Sequence, residues 1–130
     1  MKILSFVLFL LISGPGFAKS SGGESASPFI AIDPPIVVNI FDGNNIRHMQ
    51  INIEIKLFDP LRADKVELHK GPIRHGLILL LSSQEATQIN SSEGKEELRN
   101  AALETVQGVL NELEGEPIIE ALYFTNFIIQ

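Results

Sequence analysis

The sequence predicts an α/β domain of the α+β kind: a hairpin of two strands, a helical crossover segment, and a C-terminal strand in the same sheet, packed on helices. Three observations predict it. From Met49 to Leu57 apolar and polar residues alternate without a break, the two-residue period of a half-buried strand. From Leu61 to Glu114 apolar residues fall at helical spacing, punctuated by Gly, Pro and Ser. From Ile118 to Gln130 β-branched and aromatic residues dominate again, as they do in strands.

At the amino end, Met1-Lys2 is a minimal basic start and Ile3–Ile12 is an apolar run. Gly14-Pro15-Gly16-Phe17-Ala18 then breaks it and places small residues at the −3 and −1 positions of a cut after Ala18. This is the grammar of a secretory signal peptide. A spanning helix needs about twenty apolar residues, roughly twice that run. Residues 1–18 are therefore expected to direct export, either cleaved or retained as a short membrane anchor. Residues 19–34, rich in Ser, Gly and Pro, are expected to be a flexible linker. The folded unit is expected over residues 35–130, beginning near Pro35.

Within it, Ile36–Phe41 reads as the first strand and Asp42-Gly43-Asn44-Asn45 as a turn. The alternating strand follows: Met49, Ile51, Ile53, Ile55 and Leu57 face one way, Gln50, Asn52, Glu54 and Lys56 the other. Asp59-Pro60 ends it. Leu61–Lys70 is a weak amphipathic stretch, and Gly71-Pro72 predicts a new helix with Pro at its first position. That helix carries Ile73, Leu77, Leu80 and Leu81 at helical spacing. Ile78 and Leu79 make it apolar all round, so a neighbour is expected to cover it.

Ser82-Ser83-Gln84-Glu85 fits a capping box that restarts a short helix through Ile89. Asn90-Ser91-Ser92 caps the longest helix, Glu93–Glu114, with an apolar stripe of Leu98, Ala102, Val106, Val109 and Leu113 and a stop at Gly115 and Pro117. The last run is expected to be buried on both faces and interior to the sheet, returning beside the hairpin by a right-handed crossover. Phe41, Phe58, Tyr123, Phe124 and Phe127 are most simply core, with a subunit interface as the alternative.

The 130 residues carry a formal net charge of −6. Removal of residues 1–18 takes away Lys2 and no acid, leaving nine Lys and Arg against sixteen acids, a charge of −7. Without clustered cations the chain is a poor candidate for binding nucleic acid or docking electrostatically on anionic lipid. Cys is absent, which removes disulfides, thiolate catalysis and zinc-thiolate sites and leaves core packing to supply the stability.

Nothing in the sequence forms a coherent active site. His69 and His75 are six residues apart, off the three-or-four spacing that puts two ligands on one helical face. His48 stands alone. Glu93 in a first helical turn is explained by the helix dipole, and Glu96-Glu97 has no apolar surroundings to raise a carboxyl pKa. Gly-x-Ser-x-Gly is absent and no P-loop surrounds Gly94. No catalytic residue, cofactor or metal ligand is therefore assigned, and a metal-dependent enzyme using His69 and His75 is the weakest class. Arg74, at the Gly-Pro-Ile-Arg step, is either a solvated first-turn residue or one half of an ion pair with the domain or a partner.

Three segments in order resemble the flagellar basal-body-associated FliL family. They are the opening strand Pro35-Ile36-Val37-Val38-Asn39-Ile40, the helix start Ser91-Ser92-Glu93-Gly94-Lys95-Glu96-Glu97-Leu98-Arg99, and the ending Leu122-Tyr123-Phe124-Thr125-Asn126-Phe127-Ile128-Ile129-Gln130. Pro72-Ile73-Arg74, followed by an apolar helix and Leu81-Ser82-Ser83, falls where the family carries a like pattern. The resemblance spans residues 35–130.

It implies a periplasmic domain with a stomatin-like (SPFH-like) fold, no enzymatic activity and no cofactor. It also implies a place at the inner membrane among flagellar stator and basal-body proteins, and homo-oligomeric rings or arcs that support torque and motility. Such a module works by surface complementarity. The residues expected to form its interface are Gln50, Asn52, Glu54, Lys56 and Arg74. A rival from another class is a periplasmic SPFH-like scaffold or ligand-binding domain unconnected with motility.

Overall fold

A computed structural model describes residues 26–130. The expected signal segment (1–18) and residues 19–25 of the linker lie outside the described residues. The elements run β1 (Phe29–Asp42), β2 (Asn45–Leu57), a 3₁₀ turn (Pro60–Arg62), α1 (Ala63–Leu68), α2 (Lys70–Ser82), α3 (Ala86–Ile89), α4 (Ser92–Glu114) and β3 (Ile119–Ile129). Among the described residues, no helix is long and apolar enough to cross a membrane.

The α+β architecture is the expected one: an antiparallel sheet in the order β1-β2-β3, with one face covered by helices. β1 and β2 turn tightly at Gly43-Asn44, where Asp42 pairs with Asn45. The alternation of β2 is realised residue by residue. Met49, Ile51, Ile53, Ile55 and Leu57 are almost fully buried. They meet Ile32, Ile36, Val38 and Ile40 of β1 and Leu122 of β3 on the same face. α2 lies against β1 and α4 against β3, and the two helices pack on each other. Ile73, Leu77 and Leu81 of α2 and Leu98, Ala102, Val106 and Leu110 of α4 close this single core.

Several expectations are corrected. β3 is an edge strand, not an interior one: its one partner strand is β2. It is not buried on both faces either, since Tyr123 and Ile128 on its outer side are exposed. An apolar run says that a strand is wanted by a core on one face, and here the other face has no layer over it. β3 runs antiparallel to β2, and Leu57 lies opposite Ile119, so the helices leave and rejoin the sheet at the same end. The handedness rule for parallel crossovers therefore does not apply.

The folded unit begins at Phe29, six residues before Pro35, so residues 29–34 belong to β1 and not to a flexible linker. Ile30 and Ile32 pair with Ile55 and Ile53, and the register shifts between Ile32 and Ile36. The strand thereby accommodates Pro34 and Pro35, which lack the N–H of a regular ladder; prolines are tolerated at such irregular edge positions.

The helix boundaries shift for local reasons. α2 starts at Lys70, which puts Pro72 at its third position, still within the first turn, where a missing N–H costs no helical bond. The capping box at Ser82 is not formed. The Ser82 and Ser83 hydroxyls donate back to the Leu79 and Leu80 carbonyls, closing α2, and α3 begins after Glu85 without a side-chain cap. Ser91 does cap α4, accepting from the Gly94 N–H at 3.0 Å, and Gly115 ends that helix in the left-handed region at φ +72°. The stripe of α4 ends on Leu110, not Leu113. Val109 is half-buried at the contact with α2, while Leu113 is 48% exposed.

Candidate interaction site

The helices cover one face of the sheet, and no element of the described residues covers the other. That outer face is built by residue parity alone. β1 contributes Phe29, Ala31, Val37, Asn39 and Phe41. β2 contributes Ile46, His48, Gln50, Asn52, Glu54 and Lys56. β3 contributes Ala121, Tyr123, Asn126 and Ile128. Four of the five sequence-derived interface residues, Gln50, Asn52, Glu54 and Lys56, thus form the central column of one surface. Gln50 is exposed; the other three are half-buried by the strands on either side.

Local polar pairs hold this column in place. Lys56 Nζ reaches Glu120 Oε2 at 3.1 Å across the β2–β3 boundary. His48 Nδ1 lies 2.7 Å from Asn39 Oδ1, with the ring nitrogen donating. Asn126 stands opposite Asn52. Asn52 Oδ1 is buried with no hydrogen-bond partner among the described residues. A carbonyl oxygen removed from water without a partner costs about 1–3 kcal/mol.

Apolar residues flank the column on both sides. Val37 and Phe41 are each 60% exposed and Ile46 61%, and Ile128 lies across β2 from Val37. At the far end the rings of Phe29 and Tyr123 meet at 6.5 Å. Phe41 and Tyr123 are therefore surface residues, not core, as is Phe58 beyond β2. Phe124 and Phe127 do pack against the core. Ile78 and Leu79 of α2 also remain exposed, without the covering neighbour their all-round apolarity predicts.

Arg74 does not join this surface. Its Nη1 donates to the Pro34 carbonyl at 2.5 Å, tying α2 to the irregular stretch of β1. The expected acidic partner is replaced by a backbone acceptor. The histidines are separated: His69 Nε2 sits 2.5 Å from Glu114 Oε1, His75 is exposed on α2, and His48 is on the outer face. Among the described residues no group of three His, Cys, Asp or Glu gathers as a metal site. Lys65 joins Glu114 at 3.5 Å, and Arg62 meets Glu116 at 3.1 Å. The hydrogen bond from His69, with Lys65 nearby, holds the Glu114 carboxyl below the usual carboxylate range.

Two of the three segments that carry the family resemblance meet in space. Gly94 is packed against α3 so tightly that a Cβ there would overlap the Gln88 carbonyl oxygen. Lys95 stands over the Phe127 ring, its Nζ 5.0 Å from the centroid. Arg99 Nη1 donates to the Leu122 carbonyl at 3.0 Å, while its other nitrogens hold Glu96 and Asn100. The Arg99–Glu96 hydrogen bond lowers the Glu96 pKa and raises that of Arg99. The Glu-Gly-Lys helix start and the Tyr-Phe-Thr ending are thus two sides of one joint.

The family model for the flagellar basal body-associated protein FliL matches residues 29–130. The chain belongs to the FliL family. Its match begins at the first residue of β1, six residues before Pro35. A curated relative, the flagellar protein FliL of Aquifex aeolicus (strain VF5), is 29% identical over 99 residues. That alignment covers 76% of this chain and 59% of the relative, so the chain matches somewhat more than half the length of that FliL protein. FliL is a basal-body-associated accessory family of the flagellum.

Proposed function

We propose that the chain is a non-enzymatic, periplasmic component of the flagellar motor, exported by its N-terminal segment. In this reading it sits at the inner membrane beside the basal body, contacts stator proteins and copies of itself, and supports motor function and motility. The observation that carries the reading is the uncovered outer face of the sheet. A polar column with one unpartnered buried oxygen, bordered by exposed Val37, Phe41, Ile46 and Tyr123, has the make-up of a contact surface: apolar anchors beside polar groups that fix register. Membership of the FliL family supplies the setting.

Deletion of the gene tests the function directly: swimming and swarming should fall, and the motor should respond abnormally to load. Unchanged motility would overturn the reading. The surface is tested by Val37→Asp and Tyr123→Asp, which should keep the wild-type melting temperature while reproducing the deletion phenotype. Export is tested by amino-terminal sequencing of the mature protein, where Lys19 as the first residue marks cleavage and Met1 in the membrane fraction marks an anchor.

A further inference from the structure

The two borders of the sheet differ. Along β1 the border is interrupted by Pro34 and Pro35 and is bridged by Phe41 to Glu85, just before α3. Along β3 it divides into a sealed half and an open half. In the sealed half, side chains of α4 satisfy backbone carbonyls: Arg99 donates to Leu122 and Gln107 Nε2 to Ile119 at 3.3 Å.

The open half follows from the register. His48 and Gln130 exchange both backbone hydrogen bonds, at 2.9 and 2.8 Å. Antiparallel pairs alternate between bonded and non-bonded. Ile128 opposite Gln50 is then bonded to β2, while Phe127 and Ile129 direct their N–H and C=O groups outward.

Beside this border, between β3 and α4, runs an open groove of about 860 Å³ with Leu103, Ala121, Phe124 and Phe127 along it. Its charges are nearly all matched internally: Arg99 with Glu96, and Glu120 with Lys56. Lys95 has no ion pair among the described residues. A cation without an ion pair therefore stands over the Phe127 ring, on the strand whose border is open, in a chain whose formal net charge is −6.

We propose that the open half of the β3 border, with its groove against α4, receives an extended acidic peptide segment of another protein as a fourth strand. Backbone groups of the peptide pair with those of Phe127 and Ile129. An apolar side chain rests on Phe124 and Phe127, and a carboxylate meets Lys95. This is strand addition, in which main-chain bonds give affinity and side-chain contacts give specificity. The inference goes beyond the motor reading and does not depend on it, so a motility test and a binding test can fail separately.

The test is titration of the ¹⁵N-labelled full chain with an end-blocked octapeptide of alternating Val and Glu. Two controls go with it: the same peptide N-methylated at alternate amides, and a Val/Lys version. The expected result is saturable amide shifts at Phe124, Phe127 and Ile129 with Kd at or below about 1 mM. N-methylation and the Val/Lys exchange should each weaken binding by about tenfold or more, as should Lys95→Glu toward the acidic probe. Four results would overturn the proposal: no saturable shifts, shifts confined to the outer face, indifference to N-methylation, or concentration-dependent pairing of two β3 borders without peptide.

Discussion

The inner and outer faces of the sheet come from the same three strands yet do different work. On β2, Ile51 and Ile53 are almost sealed from water, while Gln50 and Asn52, one residue away, look outward. Full burial of an Ile side chain contributes about 1.5–3 kcal/mol, so the inner residues define the fold. The outer face keeps Val37, Phe41, Ile46 and Tyr123 in water, and their burial remains available to a partner. Alternation thus divides one strand into a half that makes the domain and a half left uncovered.

The sharpest break of this comparison is a pair of truncations. Ile51→Ala should lower unfolding free energy by about 2–5 kcal/mol, whereas Val37→Ala should change it by about 0.5 kcal/mol or less. Chemical denaturation of both would show whether the faces are energetically distinct; equal losses would mean that they are not. A smaller effect is expected at Gly94. Gly94→Ala must push α4 away from the Gln88 carbonyl and should cost about 1–3 kcal/mol. Gly108→Ala, with open space around it in the same helix, should instead add up to about 1 kcal/mol.

Asn52→Val tests the outer face from the opposite direction. Removing an unpartnered buried oxygen from a strand should raise stability by about 1 kcal/mol. If that oxygen meets a partner, motility should fall as stability rises; unchanged motility would detach Asn52 from the contact.

The smallest effect is the pH response of the α1–α4 junction. Because the Glu114 pKa is lowered in the folded state, its contribution is fully present above the ordinary carboxylate pKa of about 4.3. It is lost as pH falls through the lower folded value. Melting temperatures of wild type and Glu114→Gln should therefore differ at pH 7 and converge on acidification below that point.

What could be read in the sequence depended on whether one strand or helix carried the signal by itself. β2 announced itself because its alternation is internal, and Ser91 announced α4 because a cap is a local bond. The position of β3 was not legible, since its apolar residues on both sides do not say which side has a layer above it. Pro34 and Pro35 read as an approach to the domain because the pairing of Ile30 and Ile32 with β2 is long-range. The serines at 82 and 83 serve the end of α2 as readily as the start of α3.

The same distinction governs the site. The column of Gln50, Asn52, Glu54 and Lys56 was visible as the polar half of an alternation. Val37, Phe41 and Tyr123 were not, because an apolar residue in a strand looks like core until the layers are known. Arg74 was expected at the interface; its guanidinium instead meets the Pro34 carbonyl, 40 residues away in the sequence. The groove beside β3 is assembled from residues near 95–103 and 120–127, and no single segment displays it.

The proline pair in β1 has a consequence for assembly. Template-driven fibre growth requires each added molecule to offer a fresh border like the one it occupied. Here one margin is interrupted where two amide hydrogens are missing, so edge-to-edge stacking has no repeating step and stops after a single addition. Growth along the sheet border is therefore disfavoured at the β1 side.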